Sequence, residues 1–318
     1  MFVTSDIFDL KKIGRFRGFD WQENLLGGVA FNGSQWPGYE KLARFYVEAA
    51  KYCGVMEEMG YASYSLPGER RSRPIAPKSF ERLASGGLKG ARRAKSVLLR
   101  GERAAFGSQC GDVIFGGEGG ACSFRGRSAE AEPRALRAEF IFPMDQRPLD
   151  TAVELLRMAA DLTGAEYGYY FVRDDLCFPT AYANGIGPAL ELTPLSREET
   201  YEIAFWARFA NSGEMWSAPW PTMRDLYEVN LMSQRHIDKP IDGLGYLNEW
   251  IAAKPGRGRI QDLAKGRWLW ILTDAEMFNI RPLLNQAGLL RSCRHRVYRD
   301  LPRGPENERI VYTGPPVV

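Results

Sequence analysis

The chain is short of the features that mark most chemistries. It contains no run of eighteen apolar residues, so no segment has the length of a membrane-crossing helix. Its first residues, MFVTSDIFDLKKIGRF, lack the uninterrupted apolar core of a signal peptide, and a cytoplasmic protein is expected. There are two histidines, His236 and His295, too few to suggest a histidine-based metal centre. The five cysteines, Cys53, Cys110, Cys122, Cys177 and Cys293, are widely spaced and form no C-x-x-C pair. Free thiols in a reducing compartment fit that pattern better than a disulfide framework or a thiolate zinc site. G-x-S-x-G is absent, which removes the usual flag of a nucleophilic serine. Cys177 follows Asp174 and Asp175, whose charge disfavours a thiolate. The neighbouring carboxylates Asp174/Asp175 and Glu198/Glu199 are adjacent in sequence, whereas glycosidic chemistry needs two that face each other. Neither a catalytic constellation nor a cofactor or metal site is expected.

What is present suits a globular protein. Of 318 residues, 45% are hydrophobic and 25% charged, enough for one large domain or two medium ones. Aromatics reach 12%, which provides for a sizeable core and leaves side chains over for a binding surface. The net charge of +3 conceals an asymmetry. Residues 69–103 hold eleven Lys/Arg against three acids, a net of +8; residues 145–254 hold nine against seventeen, a net of −8. Residues 281–303 return to +5, with six Arg and one Asp. The basic runs read either as nucleic-acid contacts or as solvated loops, and the second reading is preferred.

Periodicity supplies the elements. In 38–58, Leu42, Phe45, Tyr46, Ala49, Cys53 and Met56 recur in steps of three and four, which predicts a helix stopped by Gly60. Strand-like runs follow at YASYSL, SVLLR, DVIF, ACSF and ALRAEFIF. The segment GGEGG between DVIF and ACSF joins strand to strand, lacks G-K-[ST], and carries Glu118, which would repel a phosphate. It reads as a hairpin turn and not as a phosphate loop. Pro148 opens a helix with an inner stripe of Leu149, Val153, Leu156, Ala160 and Leu162 or Thr163, ended by Gly164 and followed by the strand AEYGYYFV. Ser196 with Glu199 and Thr273 with Glu276 are capping boxes. RDLYEVNLM reads as a strand, and GRIQDL and RWLWIL around AKG as a hairpin. A kink or fresh start is expected at Pro282, and Gly288 suits the helix end. The fold class that follows is α+β: antiparallel sheets built from hairpins, with helices packed on one face. Strands followed by a helix occur at 112–163 and again at 258–288, which suggests two similar subdomains, 1–175 and 176–318, or one continuous domain.

The runs RDLYEVNLMSQRHI, LNEWIAAKPGRGRI, GRWLWIL and IRPLLNQAGLL resemble bacterial immunity proteins of polymorphic-toxin and type VI secretion loci. FRGRSAEAEPRALRAEFIF and GAEYGYYFV extend the resemblance to about residues 120–290. It implies a small α+β scaffold that binds one cognate toxin and has no activity of its own. No functional residue carries over, because such proteins place their contacts idiosyncratically. The acidic middle and its loop aromatics offer a contact surface, Trp216, Trp220, Asp225, Tyr227 and Glu228, although Trp216 and Trp220 read also as lids tucked over the core, which is the preferred reading of those two. A negative surface would suit a basic toxin, such as a nuclease. Two other classes stand beside this one. An enzyme that reverses a toxin's modification would gather His236 with carboxylates in a deep pocket. A nucleic-acid binder would use the 69–103 segment and lose affinity steeply with salt.

Overall fold

The computed structural model describes residues 25–56, 59–66, 73–76, 79–88, 96–102, 112–119, 136–143, 148–174, 182–183, 206, 221–241, 245–291, 298–299 and 311–312. The fold is α+β. Its centre is a ten-stranded sheet of order β11-β12-β8-β7-β1-β6-β5-β4-β2-β3. Every neighbouring pair in it is antiparallel. The strands are β1 (Leu25–Gly33), β2 (Met59–Ser65), β3 (Arg73–Ile75), β4 (Ser96–Glu102), β5 (Asp112–Gly119) and β6 (Leu136–Pro143), then β7 (Tyr167–Asp174), β8 (Val229–Ser233), β11 (Arg259–Asp262) and β12 (Arg267–Ile271). Two short strands, β9 (Pro240–Ile241) and β10 (Gly245–Tyr246), pair apart from it, as do β13 (Tyr298–Arg299) and β14 (Val311–Tyr312). Strands from both sides of residue 175 share the main sheet, joined through β7 and β8.

Directly opposed residues of an antiparallel pair share a face, and side chains alternate along each strand. Val29 and Phe31 of β1 therefore share a face with Tyr170 and Gly168 of β7 and with Phe140 and Ala138 of β6. The long helices α1 (Tyr39–Tyr52) and α3 (Pro148–Thr163) cover this face. Phe45 of α1 meets Phe31 edge-on at 4.7 Å and Phe140 at 6.1 Å between ring centres. Such pairs add to the stabilisation that burying the rings already provides. Gly168 allows α3 its close approach: a Cβ there would lie 2.8 Å from Leu156 Cδ2 and 2.9 Å from the Ala30 carbonyl oxygen.

Some elements depart from the periodicity. Helix α1 ends at Tyr52 rather than at Gly60, which lies in β2; Cys53 caps it, and Gly54 at φ 67° turns the chain away. Helix α3 buries Thr151, Ala152, Leu155, Leu156, Ala159 and Thr163, and leaves Leu149 36% exposed. The inner stripe is thus rotated from the one the apolar spacing predicted, because small Ala and Thr residues let the helix lie close against the sheet. GGEGG is not a turn. Gly116 to Gly119 lie within β5 and pair with β4 on one side and β6 on the other, as in Ser96↔Glu118 and Glu118↔Arg137. Pairing on both edges overrides the glycines' turn preference. ACSF and the Ser196–Glu199 box lie outside the described residues.

The last third follows the local signals more closely. The β11–β12 hairpin turns through Ala264, Lys265 and Gly266, all left-handed at φ 68°, 53° and 67°. The Ala264 amide donates to Asp262 Oδ1 at 2.7 Å. Between strands lie the short helices α2 (Phe80–Ala84), α4 (Gln234–Ile237) and α5 (Leu247–Ala252). Helix α6 (Asp274–Gln286) carries the Thr273–Glu276 capping box and ends with Gly288 at φ 66°. It continues through Pro282 as one helix instead of restarting there. Proline removes one ladder bond, and its ring is placed on the exposed side of the helix.

Candidate partner-binding face

The sheet's second face is aromatic and polar. Tyr167, Tyr169 and Phe171 of β7 alternate onto it, opposite Asn32, Ala30 and Gly28 of β1. Tyr182, Trp206 and the segment from Thr222 to Tyr227 lie over these rings and are largely buried. Tyr182 packs on Phe171 at 5.1 Å and Trp206 on Tyr167 at 5.9 Å between ring centres.

Arg224 anchors the covering segment. It has no solvent exposure, and its guanidinium lies 4.0 Å from the Tyr182 ring centre and 5.5 Å from that of Tyr169. One guanidinium nitrogen donates to Tyr169 Oη at 2.6 Å and to the Tyr182 carbonyl at 2.7 Å. The Arg224 backbone amide donates to Tyr167 Oη at 2.7 Å. A weakly hydrated planar cation stacked on π faces and hydrogen-bonded in its plane is one that a protein interior tolerates. Burial pushes the Tyr167 phenol well above its ordinary range, with Tyr169 adding to the rise, so it stays neutral and accepts that amide.

Three of the five predicted contact residues, Asp225, Tyr227 and Glu228, are among the described residues. Asp225 is 2% exposed. Its Oδ1 accepts from the Leu226 amide at 2.8 Å and from Arg281 Nε at 3.0 Å, and Arg281 also donates to the Leu226 carbonyl at 3.2 Å. Asp225 is therefore not a surface contact: it fastens the covering segment to α6. Tyr227 is half-buried, stacked on Tyr169 at 4.4 Å, with its hydroxyl 2.9 Å from that of Tyr182. Asn230 closes the backbone around it, accepting from the Tyr227 amide at 3.1 Å and donating to its carbonyl at 2.6 Å. Glu228 is half-buried, and its carboxyl is raised above the usual range by burial and by the nearby Asp274. Trp216 and Trp220 lie outside the described residues.

His236 is a capping residue that lies in the core: its ring closes the capping box begun by Ser233 at the start of α4. It is fully buried in α4 and stacked on Tyr167 at 5.6 Å. Its Nδ1 accepts from the Ser233 amide at 3.2 Å and lies 3.0 Å from Ser233 Oγ, while Nε2 has no hydrogen-bond partner among the described residues. The charges that act on it are the cations Arg235, Lys239 and Arg267; burial first and these second hold its pKa at about 3. His295, Cys177 and Glu198/Glu199 lie outside the described residues. Among the described residues, no three His, Cys, Asp or Glu side chains are grouped to hold a metal ion, and no helix is long and apolar enough to cross a membrane. Most side chains of the basic 69–103 segment lie outside the described residues.

The residue that sequence reasoning missed is Phe278. It is 77% exposed on α6, while Met277, Ile280 and Leu284 of the same helix are buried. Pro282, one turn on, and Ala275, one turn back, are also exposed, and Leu283 is 36% exposed. In the sequence Met277 and Phe278 are adjacent apolar residues, and only the packing of Met277, Ile280 and Leu284 shows that Phe278 faces out.

No family model matches the chain. No curated protein matches it. Among solved structures it is similar to a Pseudomonas aeruginosa T6SS protein, at 14% identity over 93% of this chain and 81% of that one, with a TM-score of 0.46. A likeness of that degree says nothing about function.

Proposed function

We propose that this protein is a bacterial immunity protein, which binds a cognate toxin and neutralises it by occluding the toxin's active site. The observation that carries this reading is Phe278. A phenylalanine left 77% exposed beside Ala275 and Pro282, on a helix whose other face is well packed, supports the reading of this face as a contact surface. The resemblance of residues 120–290 to immunity proteins supports the same reading and supplies the biological setting. The net −8 of residues 145–254 favours a basic toxin, such as a nuclease acting in the cytoplasm.

The test is co-purification with the toxin encoded next to this gene. The reading predicts a complex that survives gel filtration and a toxin whose activity is lost within it. Separate elution of the two proteins at micromolar concentration would count against it.

A further inference from the structure

We propose that the outer face of α6 docks a basic–apolar segment of the partner protein. An apolar side chain of the partner covers Phe278, and a lysine or arginine beside it reaches Glu228 and Asp274. This rests on the reading of the protein as one that binds a toxin, and specifies where and with what chemistry.

Helix geometry assembles the face. At about 100° per residue, Ala275, Phe278 and Pro282 fall within about 60° of one another around the axis. They point away from Met277, Ile280 and Leu284, which hold the helix to the core. Asp274 lies one turn before Phe278, at the edge of the same face. Glu228 reaches that edge from the start of β8, where its carbonyl accepts from the Leu272 amide at 2.9 Å. Glu228 and Asp274 lie close enough for repulsion to raise the Glu228 carboxyl. Among the described residues, neither carboxylate has a hydrogen-bonding or ion-pairing partner in its side chain. Arg281 on the same helix is committed to Asp225.

The charge selects the occupant. Two neighbouring carboxylates, one half-buried and neither paired with a cation among the described residues, are stabilised by an incoming ammonium or guanidinium and repelled by an acidic or anionic surface. A second copy of this chain is a poor fit, because a two-fold pairing centred on Phe278 would bring two such acidic pairs together. The apolar strip supplies the desolvated centre of the contact and the carboxylates its charged rim.

The experiment measures affinity for the adjacently encoded toxin, rendered inactive, with four forms of the full chain: wild type, F278S, the double variant E228Q/D274N, and Y52S. Tyr52 is 51% exposed on α1 and serves as the control for an exposed aromatic elsewhere. Phe278→Ser should weaken binding at least tenfold. The double variant should weaken it severalfold and flatten its dependence on salt, and Y52S should bind like wild type. Matching thermal melts establish that the variants fold. If wild type binds and both α6 variants bind within twofold of it, the α6 face is refuted while the immunity reading stands. If wild type does not bind, that reading fails and takes this inference with it. A wild-type dimer that F278S dissolves would make α6 a self-interface and overturn the proposal.

Discussion

Acid should weaken this protein through His236. His236 is sealed in the core, and with Nδ1 accepting from Ser233 the neutral ring carries its proton on Nε2. A second proton would place a charge against Tyr167 with Arg235, Lys239 and Arg267 already near. The folded protein therefore resists protonation down to about pH 3, whereas the ordinary value is 6.5. Because the folded pKa is depressed, the unfolded chain binds the proton first as pH falls. The stability is fully present above pH 6.5 and is lost progressively toward pH 3. Each pH unit in that window removes about 1.4 kcal/mol, so the loss reaches about 3 kcal/mol at pH 4 and about 5 kcal/mol at its limit. The perturbation is His236→Asn, whose side-chain oxygen takes the place of Nδ1 and can still accept from the Ser233 amide but does not titrate. The assay is urea unfolding of both proteins at pH 7.5, 6, 5 and 4. Carboxylates titrate alike in the two, so the difference between them isolates the histidine. Wild type should lead at pH 7.5 and lose about 3 kcal/mol of that lead by pH 4. Parallel pH profiles would refute the reasoning.

Three further substitutions test the scaffold. Ala264→Gly should stabilise the protein by about 1 kcal/mol, because it relieves a left-handed alanine at φ 68° in the β11–β12 turn; denaturant midpoints read the change. Thr273→Ala should cost about 1 kcal/mol, since the Thr273 hydroxyl accepts from the Glu276 amide at the start of α6, and the same midpoints check it. Gly168→Ala should cost more than about 2 kcal/mol, because its methyl would meet both Leu156 and the backbone of Ala30; a thermal melt unchanged from wild type would contradict that packing.

The parts of the fold that could be read in advance are those decided locally. The Thr273–Glu276 box, the Gly288 stop and the β11–β12 hairpin each depend on residues a few positions apart, and they form as the local chemistry dictates. GGEGG was illegible for the opposite reason: its pairing with β4 and β6 is tertiary, and nothing within five residues records it. Asp225 looked like a surface acid because its counter-charge, Arg281, is 56 residues away in sequence. Arg224 likewise reads as solvated until the ring of Tyr182 and the hydroxyl of Tyr169 are placed around it. Phe278 could be recognised as exposed only after Met277, Ile280 and Leu284 were known to face inward.

Titrating purified protein into the active, adjacently encoded toxin tests the central claim most directly. A protein that works by occlusion silences the toxin at a fixed stoichiometry, with activity falling linearly to zero as binding sites fill. Recovery of an already damaged target by trace, substoichiometric amounts, with no complex formed, would contradict the account.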